Sequence, residues 1–170
     1  FIISSGMTLL FAAFFTRSYQ RFTREIPVAE VQVRPSPQPN TFYLTLITDP
    51  AQGNREGTEY VIHGDQWMIE ADIIKWDNWL SFLGMDTRYR LTRLRGRYEA
   101  SIAERTKPPS VYAIDPLEEH PFWRHLYDFG DIFPFVSAVY GNAVYQYGNR
   151  ERHFLIYVTT SGLMIRIEQD

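Results

Sequence analysis

A stretch without charge opens the chain and ends at a cluster of arginines. Residues 1–15, FIISSGMTLLFAAFF, contain no charged side chain, and Arg17, Arg21 and Arg24 follow. This pattern is typical of a membrane helix that ends at lipid head groups. A helix of that length spans about 22 Å, whereas the hydrocarbon core is about 30 Å thick. Since the chain also begins with Phe1 rather than methionine, we expect upstream residues to complete the helix.

The alternative to a membrane span is an amphipathic helix on a core or an interface, but no polar stripe runs along residues 1–15. A signal peptide fits less well because its positive charges precede the apolar run. Small side chains would let a second helix approach closely, and they are Ser4, Ser5, Gly6 and Thr8. The sequence therefore predicts the C-terminal part of a transmembrane helix with its juxtamembrane segment at 1–24, and a soluble domain at 25–170.

The soluble part begins with alternating apolar and polar positions, which predict β-strands. Residues 28–33 form the first strand and the proline-rich segment RPSPQPN at 34–40 forms an extended connector. Residues 41–48, TFYLTLIT, form a half-buried strand, and 58–76 form a hairpin around Gly64 and Asp65. In that hairpin the expected core residues are Trp67, Ile69, Ala71 and Ile73, and the expected solvent-facing residues are Gln66, Glu70 and Asp72.

The second half of the chain also predicts mainly β-strands. Residues 87–98 form a strand with a bulge at Gly96, and 111–114 form a short strand. Residues 117–129 form the best helix of the soluble part, with Asp115 as its cap and Pro116 at its first position. Residues 136–147 and 153–160 form a second hairpin, and 163–168 close the domain. The predicted fold is mainly β (α+β), an antiparallel β-rich domain with one or two short helices.

Composition removes several classes of function. The chain has 170 residues, a net charge of −3 and no cysteine. The absence of cysteine excludes disulfides, thiolate metal sites and cysteine nucleophiles. The acidic balance argues against a nucleic-acid partner. With 45% hydrophobic and 16% aromatic residues, the soluble part has ample material for one core.

Two neighbouring clusters are candidates for contact with lipid or protein. The first is the arginine row, Arg88, Arg90, Arg93, Arg95 and Arg97, which contains no acidic residue between its ends. It would meet phospholipid head groups or an acidic protein surface, or else form a solvated strand that pairs with acids from elsewhere. The second is an apolar lip formed by Trp76, Trp79, Phe82 and Leu83, which would touch the bilayer or a partner helix, or else pack in the core.

No pattern of chemistry-bearing residues indicates catalysis or a cofactor. The acidic and histidine cluster at 118–131 has metal-binding residue types, but His120 and His125 are five apart and diverge on a helix. His63 beside Asp65 suggests a general base, yet Gly64 and Asp65 are better explained by the turn. The chain contains no nucleophile elbow, phosphate-binding loop or dinucleotide fingerprint. We therefore expect a non-enzyme without metal or cofactor.

Six segments between about Tyr19 and the C-terminus are distinctive in combination, namely YQRFTREIPVAE (19–30), GDQW (64–67), LGMDTRYRL (83–91), LRGRY (94–98), AVYG (138–141) and SGL (161–163). In these segments the chain resembles a family of small membrane proteins of Gram-negative bacteria that often carry the label multidrug efflux pump or multidrug transporter. The resemblance implies two N-terminal helices joined by a short basic loop, followed by this domain. It implies no catalytic or transport residues.

The orientation in the membrane has two interpretations. The arginines after residue 15 favour a cytoplasmic domain by the positive-inside tendency. The resemblance instead implies a basic loop between two helices inside the cell, which would place the domain on the periplasmic face. We expect a periplasmic domain anchored in the bacterial inner membrane, with a cytoplasmic domain as the alternative.

The resulting functional hypothesis is a membrane-anchored, non-catalytic accessory subunit of a larger inner-membrane complex. Its expected partners are other integral membrane subunits and phospholipid head groups. A first alternative is a domain that binds, or acts on, envelope lipid or polysaccharide, with a pocket lined by His63, Asp65, Asp72 or the 118–131 cluster. A second alternative is a component of a transport system, which would need further membrane spans.

Overall fold

The computed structural model describes residues 5–13, 25–53, 55–77, 80, 87–115, 121–129, 136–159 and 161–168. Its helices are α1 (residues 5–13), α2 (Ser101–Thr106) and α3 (Pro121–Phe129), with a 3-10 turn at Pro50–Gln52. Its strands are β1 (Ile26–Pro35), β2 (Thr41–Thr48), β3 (Thr58–His63), β4 (Gln66–Trp76), β5 (Arg88–Arg97), β6 (Val111–Ala113), β7 (Val136–Tyr147), β8 (Arg152–Thr159) and β9 (Gly162–Ile167).

The strands form two antiparallel sheets that face each other. Sheet A has the order β3-β2-β1-β8-β9, and sheet B has the order β6-β5-β4-β7. One continuous apolar core lies between them and takes residues from both, for example Leu44 and Ile156 from sheet A and Ile69 from sheet B. The rings of Trp67 in sheet B and Phe154 in sheet A meet edge to face at 5.3 Å. The predicted class, mainly antiparallel β with few short helices, is confirmed.

Alternation of side chains explains which residues enter this core. In β2, Phe42, Leu44 and Leu46 are buried, whereas the residues between them are only partly covered. The same alternation buries Trp67, Ile69 and Ala71 in β4, as the pattern predicts. Ile73 is buried as well. Gln66 is expected to face solvent, but it is only 4% exposed, and its register neighbours are the long side chains of Arg97 on β5 and Tyr147 on β7.

The two predicted hairpins are wrong in one respect. β3 pairs with β2 while β4 pairs with β5 and β7, so the turn at Gly64 leads from sheet A to sheet B. The turn after β7 leads back from sheet B to sheet A in the same way. Gly64 has φ of 147°, which an L side chain rarely adopts. Each connection therefore joins the two layers of the sandwich instead of pairing its own flanking strands.

The predicted bulge in β5 lies at a different residue. The register between β4 and β5 shifts between Glu70 and Ala71, which oppose Arg93 and Leu91, so Thr92 is the inserted residue. Gly96 has another reason to be glycine. A Cβ atom there would lie 2.0 Å from the backbone oxygen of His63, so the close approach of β3 to β5 leaves no space for a side chain.

A second, smaller apolar cluster lies on the other side of sheet B. Ile74 and Trp76 of β4 pack with Trp123 of α3, and Leu80 and Val136 flank them. Helix α3 therefore covers one end of the solvent-facing side of sheet B. The predicted beginning of this helix, with Asp115 and Pro116, falls partly at 116–120, which lies outside the described residues.

Helix α1 contains the described portion of the predicted membrane helix. All nine residues of α1 are exposed. Among the described residues, no helix is long and apolar enough to cross a membrane. The juxtamembrane arginines lie outside the described residues.

Candidate functional site: two solvent-facing sheet surfaces

The arginine row lies on the solvent-facing side of sheet B. Its five members are Arg88, Arg90, Arg93, Arg95 and Arg97. Strict alternation would send Arg90 and Arg93 to opposite sides of the strand. The extra residue Thr92 corrects the phase, so Leu91 and Leu94 both reach the core and all five arginines face away from it.

Acidic side chains from neighbouring elements compensate the middle of this row. Arg90 pairs with Asp72 directly opposite on β4, and Arg93 Nε donates to Glu70 Oε2 at 2.7 Å. Arg95 lies 3.1 Å from Glu104 of α2. Cross-strand pairs of this kind stabilise a sheet. The interpretation of a row paired with acids therefore describes these three arginines, and the compensating acids come from the neighbouring strand β4 and from helix α2.

Arg90 is a buried residue of the row. It is 5% exposed, its guanidinium lies 5.4 Å from the Trp123 ring, and its Nη1 donates to the Asp115 backbone oxygen at 3.4 Å. The burial of Arg90 beneath α3 therefore contradicts the prediction that this residue contacts lipid or a partner. Its geometry instead fastens α3 to sheet B through an ion pair and a cation–π contact.

The two ends of the row differ from its middle. Arg88 is exposed, and the Arg97 guanidinium lies 4.9 Å from the Tyr145 ring. Among the residues that the structure describes, neither has an acidic partner. Arg88 and Arg97, with the exposed Arg93, are the members that remain accessible for an anionic or acidic surface.

The predicted apolar lip is only partly described. Trp76 is 7% exposed and belongs to the second apolar cluster with Trp123. Its burial corrects the expectation that it touches a bilayer, and it supports the alternative of ordinary packing. Trp79, Phe82 and Leu83 lie outside the described residues, so their contact role stays a prediction.

Asp65 joins segments at one end of the sandwich. One carboxylate oxygen accepts from the Asn40 side chain and the other accepts from the Glu99 backbone N–H at 2.9 Å. The Asp65 backbone also donates to Arg97 O at 2.9 Å. A shallow groove of about 320 Å³ lies beside this carboxylate. Since both of its oxygens are engaged, Asp65 is explained by the turn rather than by general-base chemistry.

The histidines do not assemble a shared site among the described residues. His63 Nδ1 lies 3.4 Å from Thr41 Oγ1 at the end of β3, whereas His125 lies on α3. His153 of β8 has Glu168 at Nδ1 and Glu30 at Nε2, 3.8 Å away, so its two carboxylate contacts lie at opposite ring nitrogens. Within the described ranges, no three His, Asp or Glu side chains are placed to hold a metal ion.

Sheet A carries a polar surface that sequence analysis missed. Strand register places five side chains in one line across the sheet, namely Glu59, Thr45, Gln32, His153 and Glu168. At about 4.8 Å between strands, this line is about 19 Å long. Beside it, Arg34 pairs with Glu59 at 2.8 Å and lies 5.2 Å from the Tyr43 ring. Alternation predicts that each residue faces solvent, but it cannot show that five strands align them.

Tyr89 connects the two sheets at the side of the core. Its hydroxyl donates to Asp49 Oδ1 at 2.8 Å, in the loop that follows β2. Burial, together with the hydrogen bond to the Asp49 carboxylate, raises the pKa of Tyr89 well above its usual range. This phenol therefore stays protonated and keeps donating at neutral pH.

Comparisons with protein-family models, with curated proteins and with solved structures found nothing that matches this chain. The resemblance to the Gram-negative family labelled as efflux pumps therefore stays a prediction.

Proposed function

We propose that this chain is a membrane-anchored, non-catalytic accessory subunit of a larger inner-membrane complex. The observation that carries the proposal is the exposure of helix α1. Its large apolar side chains are 59–72% exposed, and they are Met7, Leu9, Leu10 and Phe11. Apolar surface left in water costs about 25 cal/mol per Å². This helix is therefore expected to be buried in lipid or against other helices.

The small residues of α1 favour partner helices in addition to lipid. A Cβ atom on Gly6 would meet no heavy atom within 4 Å, so nothing in the described part of the chain needs glycine at this place. Ser5 and Thr8 lie nearby on the helix, while Ser4 is outside the described residues. Small residues in membrane helices allow close helix–helix contact, and other integral membrane subunits are the proposed partners.

The domain would hold its partners through the accessible part of sheet B. Arg88 and Arg93 are exposed at the solvent-facing side of this sheet. They suit phospholipid head groups or an acidic extramembrane surface. We place the domain on the periplasmic face, with the cytoplasmic face as the alternative. Fusions of the C-terminus to alkaline phosphatase and to green fluorescent protein distinguish the two, because the phosphatase is active only outside the cytoplasm.

The first test concerns the membrane anchor. Lysine at both Leu9 and Leu10 would place two charges in the apolar helix, and we expect the chain to move from the membrane to the alkaline-carbonate supernatant. Ile102→Lys is the matched control, because Ile102 is 78% exposed on α2. It should stay with the membrane. Equal retention of both variants would overturn the anchoring role of α1.

The second test distinguishes a subunit of a complex from a domain that is anchored in the membrane without partners. Gly6→Leu adds a large side chain where the chain itself leaves open space, so it should not disturb folding or membrane insertion. We expect it to reduce the amount of co-purifying membrane subunits, because a partner helix would lose its close approach. Undiminished co-purification of the same subunits would show that Gly6 does not face a partner.

A further inference from the structure

The solvent-facing side of sheet A contains a groove that lies on the opposite side of the sandwich from the arginine row. It has a volume of about 370 Å³, which is within the range of small-molecule sites. Strands β1, β2, β3 and β8 contribute to its lining. The groove therefore rests on a rigid hydrogen-bonded sheet rather than on a loop.

The lining offers donors and acceptors of hydrogen bonds in close alternation. Thr45 and Gln32 each carry both kinds of group, Arg34 only donates and the Glu59 carboxylate only accepts. Sugar hydroxyls also act as donor and acceptor at once, and neighbouring hydroxyls match planar side chains such as amides, carboxylates and guanidinium groups. The chemistry of the lining is therefore complementary to a polyhydroxylated ligand.

The charges of the groove balance. Arg34 and Arg152 are matched by Glu59 and Glu151 in the lining. Phosphate-bearing ligands and polyanions need a net positive site, so this balance disfavours them. Large apolar side chains dominate most protein interfaces. Among the lining residues of this groove they are limited to Tyr43, whose ring lies against the Arg34 guanidinium. The lining thus favours a neutral polar ligand over a phospholipid head, a nucleic acid or an apolar peptide.

The surface is also elongated. The line of polar side chains continues from the groove through His153 to Glu168 at the edge of sheet A. At about 4.8 Å per strand, its five positions span about 19 Å, which is longer than a single sugar ring. A chain of sugar units lying across the strands would contact the line along its length.

From these observations we infer that sheet A binds a neutral oligosaccharide across its strands. Gln32, Thr45 and the Arg34–Glu59 pair contact the sugar hydroxyls in the groove, and His153 extends the contact towards β9. This inference is independent of the membrane anchor, because it rests only on the described strands of sheet A.

Saturation-transfer NMR on the full chain, inserted into phosphatidylcholine nanodiscs without any sugar-based detergent, tests the inference. The probes are hexamers of glucose, of mannose and of N-acetylglucosamine, with hexagalacturonate and inorganic phosphate as charged comparisons. We expect at least one neutral hexamer to bind at millimolar concentration and to bind more tightly than hexagalacturonate. Binding of the charged probes only, or of no probe, overturns the inference.

Two variants place the binding in the groove. Thr45→Val keeps the shape of the side chain and removes its hydroxyl, and Gln32→Ala removes the amide at the centre of the line. Each should weaken binding by about two- to tenfold, the effect of about one net hydrogen bond. The control Arg124→Ala changes an exposed side chain of α3, outside the groove, and should leave affinity unchanged. Equal affinity in all variants, with unchanged circular dichroism, would place the sugar elsewhere and overturn the assigned site.

Discussion

Both solvent-facing surfaces of the sandwich carry an ion pair between an arginine and a carboxylate, but the two pairs differ in burial. On sheet B, Arg90 and Asp72 have side chains that are 4% and 14% exposed and lie beneath α3. On sheet A, Arg34 and Glu59 form an ion pair in contact with solvent, since their side chains are 62% and 52% exposed. Water screens the second pair and not the first. Burial, rather than residue type, therefore separates an arginine that holds the fold from one that is accessible to a ligand.

The largest expected effect comes from removing the buried partner on sheet B. Arg90→Ala should lower the free energy of unfolding by about 3–5 kcal/mol, because it breaks the buried ion pair with Asp72 and removes the guanidinium that lies against the Trp123 ring of α3. Chemical denaturation followed by circular dichroism measures it. The matched control is Arg93→Ala on the same strand and face, where 58% of the side chain is exposed, and it should cost at most about 1 kcal/mol.

A second variant shows whether charge or shape matters at this position. Arg90→Met combined with Asp72→Leu replaces the buried pair with apolar side chains and should recover most of the lost stability. Equal losses for Arg90→Ala and Arg93→Ala would remove the distinction between buried and exposed pairs.

Loss of the Trp123 ring, through which α3 packs on sheet B, should have a slightly smaller effect on stability. Trp123→Ala removes the ring that packs on Ile74 and Trp76 and lies over Arg90, and we expect a loss of about 3 kcal/mol. The neighbouring exposed residue gives the control, Arg124→Ala, which should change stability by less than about 0.5 kcal/mol. If both variants unfolded at the same denaturant concentration, α3 would not stabilise this surface.

The connection between the sheets should make the stability of the fold sensitive to alkaline pH through Tyr89. The pKa of Tyr89 is raised on folding, so the folded chain keeps a proton that the unfolded chain loses near pH 10. The contribution of protonated Tyr89 to the free energy of unfolding is therefore complete below pH 10, and it decreases as the pH rises further. Tyr89→Phe should cost about 1 kcal/mol at pH 7 and reduce this alkaline decrease in unfolding free energy.

Tyr43→Phe is the control for this pH dependence, because Tyr43 faces solvent on sheet A. It should leave the alkaline decrease in place. An unchanged alkaline profile in Tyr89→Phe would contradict the role given to the Tyr89–Asp49 hydrogen bond.

The smallest expected effect is on the exposed pair of sheet A. Arg34→Ala should change the unfolding free energy by about 0–1 kcal/mol, and salt should reduce the difference further. Denaturation at low and at high salt measures it. A loss comparable with that of Arg90→Ala would mean that sheet A, too, depends on its ion pair, and the comparison between the surfaces would fail.

Alternating patterns predicted the strands because side-chain direction is a local property. Thr41–Thr48 has the predicted bounds and is half-buried as predicted, with Phe42, Leu44 and Leu46 in the core. The sheet of each strand was not predictable from the same signals. Gly64 indicates a reversal of the chain, but a two-residue turn can pair its neighbours or lead from one sheet to the other. That choice depends on Asn40 and Arg97, whose backbone oxygens accept from Gly64 and Asp65.

The candidate surfaces were predictable to a different degree. The arginine row was visible in sequence, but its compensation was not, since Glu70, Asp72 and Glu104 come from a separate strand and helix. Thr92 carries no signal that marks it as the inserted residue, although it places the whole row on one face. The line on sheet A depends on the register of five strands, which no single segment specifies.

Quantitative co-purification is the decisive experiment for the proposed membership of this chain in a larger membrane assembly. The full chain would carry a C-terminal tag, be expressed at its native level and be extracted gently from its source membrane. Mass spectrometry would then compare its co-purifying proteins with those of the Gly6→Leu variant. We expect a fixed set of integral membrane subunits at constant ratio, and a smaller amount of them with the variant. A chain that purifies without other subunits from both strains would contradict the proposal.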